Sequence, residues 1–114
     1  MTITFTVQQR LNLIGLLQQK CRGKRKDESR RLARDIFVKI RISDDELKLY
    51  QTNVPGVGVM QHMDAVKSAD PIEADLTLTE IRRLDSIIAE FDNWGPADDD
   101  WLDPLVAQLE MAQK

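Results

Sequence analysis

Apolar residues recur at helical intervals over most of this chain and alternate with polar ones over two short stretches. Val7, Leu11, Ile14 and Leu17 form one stripe, and Leu13 and Leu16 widen it, which predicts a helix over 7–19 buried on more than half its circumference. Thr6-Val7-Gln8-Gln9 is a capping box at its start. Gly15 costs about 1 kcal/mol against Ala at mid-helix, and its expected role is close approach of a neighbouring helix. A second helix over 28–41 carries Leu32, Ala33, Ile36, Phe37 and Ile40 on one face, with Asp27 or Ser29 as cap. Ser43-Asp44-Asp45-Glu46 is a second capping box, opening a short helix to Tyr50 that buries Leu47 and Tyr50. Thr77-Leu78-Thr79-Glu80 is a third. Behind it, Leu78, Ile81, Leu84, Ile88 and Phe91 predict a helix over 78–91, with Ile87 beside the stripe and Gly95-Pro96 as its stop. A last helix over 102–112 holds Leu102, Leu105, Val106 and Leu109. Asp103-Pro104 supplies its cap and first position, and a start at Asp100 is also allowed.

Between the short helix and the one at residue 78, the period falls to two. Val57, Val59, Gln61 and Met63 alternate with Gly58, Met60 and His62, and Ile72, Ala74 and Leu76 with Glu73, Asp75 and Thr77. The simplest pairing is an antiparallel hairpin from 57 to 76, connected by the polar stretch Asp64 to Pro71. Pro55-Gly56 suits the centre of a type II turn, and a third strand over Tyr50 to Val54 is a further option. The expected fold is therefore α+β: one helix-rich domain over residues 1–114, with four to five helices and a small antiparallel β-hairpin between the third and fourth. Leu11, Ile14, Leu17, Ile36, Phe37, Ile40, Leu84, Ile88 and Leu105 are its predicted core.

Composition narrows the chemistry. At 114 residues the chain can bury a core without disulfides, and Cys21 is its one cysteine. One His and one Cys fall short of a zinc ligand set. A Ser-His or Cys-His pair would have to use His62, which reads as a surface residue of the hairpin. There is no Walker-type or GxGxxG phosphate loop. Asp98 to Asp103 lacks the glycine and distal Glu of a calcium loop, and acids ahead of a helix suit its dipole. No enzyme activity, cofactor or metal is expected. No apolar run reaches the length of a membrane span, and no secretory leader is visible, so the expected location is cytoplasmic with no membrane partner.

Charge is the most uneven property. Lys20, Arg22, Lys24, Arg25, Lys26, Arg30, Arg31, Arg34, Lys39 and Arg41 lie within one stretch, against only Asp27, Glu28 and Asp35. That stretch carries a net +7, while the rest of the chain carries −10. Three outcomes are open: binding to a protein partner or a second copy, binding to nucleic acid, or neutralisation by the chain's own acids. A helix-turn-helix reading meets a loop longer than that motif's tight turn. Trp94 and Trp101 flank the acidic run and either join a binding surface or close one end of the core. The candidate partner surface is thus Lys20, Arg22, Lys24, Arg25, Lys26, Arg30, Arg31 and Arg34, with Trp94 and Trp101.

The leading amphipathic helix from Val7 to Leu17, then Ile42-Ser43-Asp44-Asp45-Glu46-Leu47, a short hairpin and Leu78-Thr79-Glu80-Ile81-Arg82-Arg83-Leu84 together resemble a group of small phage- and prophage-encoded proteins. The likeness spans most of the chain through caps and apolar positions, and the first loop departs from it in being longer and more basic. It implies a bacterial or viral context and a binding role, a phage-encoded regulator or inhibitor being one form of it. No active-site residues carry over.

Overall fold

The computed structural model describes residues 1–114. Along the chain run β1 (Thr2–Phe5), α1 (Val7–Lys20), α2 (Glu28–Ile40), α3 (Asp44–Tyr50), β2 (Gln51–Val54), β3 (Gly58–Gln61), α4 (Met63–Ser68), β4 (Ile72–Asp75), α5 (Leu78–Glu90), a 3-10 turn (Pro96–Asp98) and α6 (Asp99–Ala112). The helix-rich α+β class is as predicted, with six α-helices rather than four or five.

Helix starts fall where side chains take over free amides. Thr6 with Gln9 and Thr77 with Glu80 form complete capping boxes, and Asp27 accepts from the Ser29 amide. Ser43 accepts from the Glu46 amide, but the Glu46 carboxylate does not return to it, because both of its oxygens are taken by Arg10. Two other ends differ from expectation. Helix α5 stops at Glu90, where Phe91 turns extended and packs on Trp94, well before Gly95. Helix α6 begins at Asp99 and carries Pro104 inside it, because Trp101 and Leu102 are already buried in its first turn.

The strands pair differently from the predicted hairpin. Strand β3 pairs with β2 through the Pro55-Gly56 turn, closed by the Val57 amide on the Val54 carbonyl at 3.0 Å. Gly56 has φ +78°, as a type II turn requires. Strand β4 instead pairs antiparallel with β1, a strand the helical pattern obscured, with Ile3 opposite Ala74 and Phe5 opposite Ile72. Residues 63–68 are helix α4 rather than plain connection. Its Val66 is buried with Val7 and Tyr50 in a small second cluster. Burial decides the pairing: Ile3, Phe5, Ala74 and Leu76 lie in the main core, whereas every residue of β3 is exposed.

The main core joins α1, α2, α5 and α6 beneath β1 and β4. Leu17, Ile36, Ile40, Leu84, Ile88 and Leu105 are buried as predicted, while Leu11, Ile14 and Phe37 are only half-buried. Helix α1 is turned so that Leu13, Leu16 and Leu17 face inward. Gly15 then lies exposed, with nothing within 4 Å of a built Cβ, so it serves no close packing.

Three buried polar residues join the elements. Arg10, 4% exposed, donates to the Ile40 and Arg41 carbonyls at 2.9 Å and to both Glu46 oxygens at 2.9 and 3.0 Å. Glu80, also 4% exposed, accepts from Lys39 at 2.7 Å and from the Thr77 amide at 2.9 Å. Gln9 accepts from the Thr6 amide and donates to the Trp101 carbonyl. The hydrogen bond from Arg10 holds the Glu46 carboxyl below its ordinary value. At Glu80 burial pushes upward, but hydrogen bonds from Lys39 and Thr77 outweigh it and the net shift is downward.

Three outcomes follow. Arg10→Met leaves two carbonyls and a carboxylate without their donor and should cost about 2–4 kcal/mol in urea unfolding. Gly15→Ala, with open space and ordinary helical backbone, should stabilise by roughly 0.5–1 kcal/mol; a loss instead would mean that α1 packs differently there. Because the Glu46 and Glu80 values are lowered on folding, their stabilisation is complete above the unfolded value near 4.5 and is lost as pH falls through the folded values. The melting temperature should therefore drop on acidification below about pH 5, and less steeply in a Glu46→Gln/Glu80→Gln variant.

Candidate functional site

The basic stretch folds into three parts: the end of α1, the seven-residue loop Cys21 to Asp27, and the outward side of α2. Helix α2 turns Ala33, Ile36 and Ile40 to the core, which leaves Arg31, Arg34 and Val38 exposed. Gly23, at φ +132°, lets the loop reverse direction. Arg30 is half-buried and donates its Nε–H to the Cys21 carbonyl, tying the loop to α2.

The chain's own acids leave this face largely unneutralised. Lys20 meets Glu90 at 3.6 Å and Lys39 meets Glu80 at 2.7 Å. The other eight cations of the stretch (Arg22, Lys24, Arg25, Lys26, Arg30, Arg31, Arg34 and Arg41) have no carboxylate within 4.0 Å. Arg83 joins them from α5, its Nε–H donating to the Ser29 carbonyl at 3.3 Å. Nothing in the local charge pattern around Arg83 signalled this, because it depends on α5 packing across α2. The whole-chain division into +7 and −10 assigned Arg83 to the acidic part.

The face is not uniformly positive. Lys26 and Arg31 share a shallow hollow with Glu28, Asp35 and Leu32. Beside it, a groove between α2 and the start of α5 is lined by Leu32, Arg34, Asp35, Val38, Lys39, Thr77 and Glu80. No aromatic ring lies among either set. The Cys21 thiol, next to the loop, is pushed up by burial against the opposing influence of Arg30 and Arg34, so it is held as thiol rather than thiolate.

The tryptophans are placed elsewhere. Trp94 stands edge-on between Phe91 and Trp101, with ring centroids 4.6 and 5.5 Å apart. Trp94 donates to the Ile88 carbonyl at 2.9 Å and Trp101 to Asp98 at 3.1 Å. Trp101 is 7% exposed, so it belongs to the core and not to a binding surface; Trp94 shows only part of its ring. The second oxygen of Asp98 accepts from the Gly95 amide, so this carboxylate caps and braces the end of the core. Aromatic scarcity is the physical reason: a chain with few rings spends them where large voids must be filled.

His62 follows β3 on the surface, and its Nε2 lies 2.6 Å from the Thr52 hydroxyl. No group of three or more His, Cys, Asp or Glu side chains is placed to hold a metal ion. No helix is long and apolar enough to cross a membrane. No family model matches the chain, and comparison with curated proteins and with solved structures returns no match.

Proposed function

We propose that this chain is a small non-enzymatic interaction module whose α1–α2 loop and α2 face bind an acidic protein surface, acting as a regulator or inhibitor of phage or prophage type. The observation that carries this reading is the mixed character of the face. Glu28 and Asp35 stand among Lys26, Arg31 and Arg34, with Val38 exposed and Leu32 half-buried between them. A phosphate backbone presents one sign of charge along its length, so two carboxylates inside its track would repel it. A protein surface offers acidic groups, isolated cations and apolar atoms together, which is what this face complements. The overall charge of −3 points the same way.

Nucleic-acid binding through residues 20–41 is the competing reading, and one set of variants separates the two. Arg25→Glu, Arg31→Glu and Arg34→Glu are combined, sparing Arg30 because it holds the loop through Cys21. The wild-type chain should capture a protein from its native host at about 150 mM salt, before and after nuclease treatment, and the triple variant should not. Duplex and single-stranded probes should show no binding at tens of micromolar in that salt. Sub-micromolar nucleic-acid binding that the triple variant abolishes would put the competing reading in front.

A further inference from the structure

The two small sheets treat their open edges in opposite ways. In the β1–β4 sheet, the Gln108 side chain does the work of a neighbouring strand. Its carbonyl accepts from the Thr4 amide at 2.8 Å and its amide donates to the Thr4 carbonyl at 2.9 Å. On the other side, Lys39 donates to the Asp75 carbonyl at 2.9 Å. Both edges are thus occupied by side chains, the usual defence of an exposed strand.

The β2–β3 hairpin has no such plugs. The His62 amide bonds the Tyr50 carbonyl at 2.7 Å, so with alternating ladder bonds the pairs Thr52–Met60 and Val54–Gly58 face each other. The amides and carbonyls of Val59 and Gln61 therefore point away from β2, into solvent. Val59 is 61% and Met60 54% exposed. From Gln51 to Met63 there is no Asp, Glu, Lys or Arg, the longest such run in a chain that is 31% charged. Charged residues are what normally keep an edge strand from pairing, and here they are missing. A two-stranded hairpin is also marginal alone in water, and further strands stabilise it.

We propose that β3 pairs antiparallel with β3 of a second copy, forming a continuous four-stranded sheet across a two-fold axis at Val59. In that register the Val59 amide of each copy donates to the Val59 carbonyl of the other, and Val57 lies opposite Gln61. A second copy is the fitting occupant because a two-fold contact requires one patch to be complementary to itself, and an edge without charges meets that requirement. At β3 the axis sets Val59 beside Val59, with no charge facing another. This surface is separate from the α2 face, so its test leaves the acidic-partner reading untouched.

Sedimentation equilibrium from about 5 to about 500 µM is the primary measurement, since a short apolar edge implies a dissociation constant of tens of micromolar. The mass should rise from 13.1 kDa toward twice that value. Val59→Lys and Val59→Glu, both at an exposed position and each checked for native circular dichroism, should stay monomeric alone. Mixed one to one they should recover the dimer, because opposite charges then meet across the axis. Hydrogen exchange at the Val59 and Gln61 amides of the wild-type chain should slow as concentration rises. A wild-type chain that remains monomeric at about 500 µM, a dimer indifferent to both variants, or a mixture that fails to re-form it would each overturn the proposal. So would a monomer whose β3 edge is protected only on adding a foreign protein.

Discussion

A single buried guanidinium sets the geometry on which the rest of this fold depends. Arg10 comes from the end of the first turn of α1, yet the groups it satisfies belong to the end of α2 and the start of α3. Helix ends leave carbonyls without partners, and a planar fork of donors fills two of them while clamping Glu46 with two parallel bonds. This fixes where α2 stops and in which direction α3 leaves. Because α3 runs directly into β2, the same contact aims the hairpin away from the core. A lysine in this place could not serve, having one compact donor group where the site needs a fork.

Gln9 and Glu80 repeat the device. Each belongs to a capping box, and each uses the rest of its side chain to reach another element, Trp101 in one case and Lys39 in the other. The capping boxes were legible because they are local: a hydroxyl three residues ahead of Gln or Glu is enough to recognise one. The second duty of the same side chains was not, since the partners lie up to 92 residues away. Arg10 was hidden for the same reason. It is a charged residue between Gln9 and Leu11 on an amphipathic helix, and only the packed positions of α2 and α3 explain why it faces inward.

Strand pairing shows the limit more sharply. Alternation over 57–63 and 72–77 marks two extended stretches, and both contain strands. Alternation says nothing about which strand is the partner. The deciding terms were Ile3 and Phe5, two apolar residues in a segment too short for a firm periodic signal, and the local closure through Pro55-Gly56, which joins β2 to β3 at small entropic cost. The pattern on which the proposed pairing of β3 rests is an absence of charge, whereas charge counting along the chain directs attention to where charge is dense. The sequence leaves two readings of the tryptophans open in the same manner. Their place beside an acidic loop suggests a surface, while their size makes them the filling for the end of a core with few other rings.

The charge asymmetry survives folding because of where the acids are needed. Asp44, Asp45 and Glu46 occupy the first turn of α3, Glu80 that of α5, and Asp99 and Asp100 that of α6. At these positions a carboxylate is stabilised by the free amides and the positive end of the helix, which are fixed by the backbone and cannot move toward the basic loop. Of these residues Glu80 alone reaches a cation of the basic stretch, Lys39. Most of the remaining cations stand in water, where salt screens repulsion among them at separations beyond about 8 Å, so the fold tolerates the excess at modest cost. An acidic partner would relieve that repulsion on contact. On the proposed reading, the residues that would make the face selective are the two carboxylates left within it, Glu28 and Asp35, since they would repel a surface of unbroken negative charge.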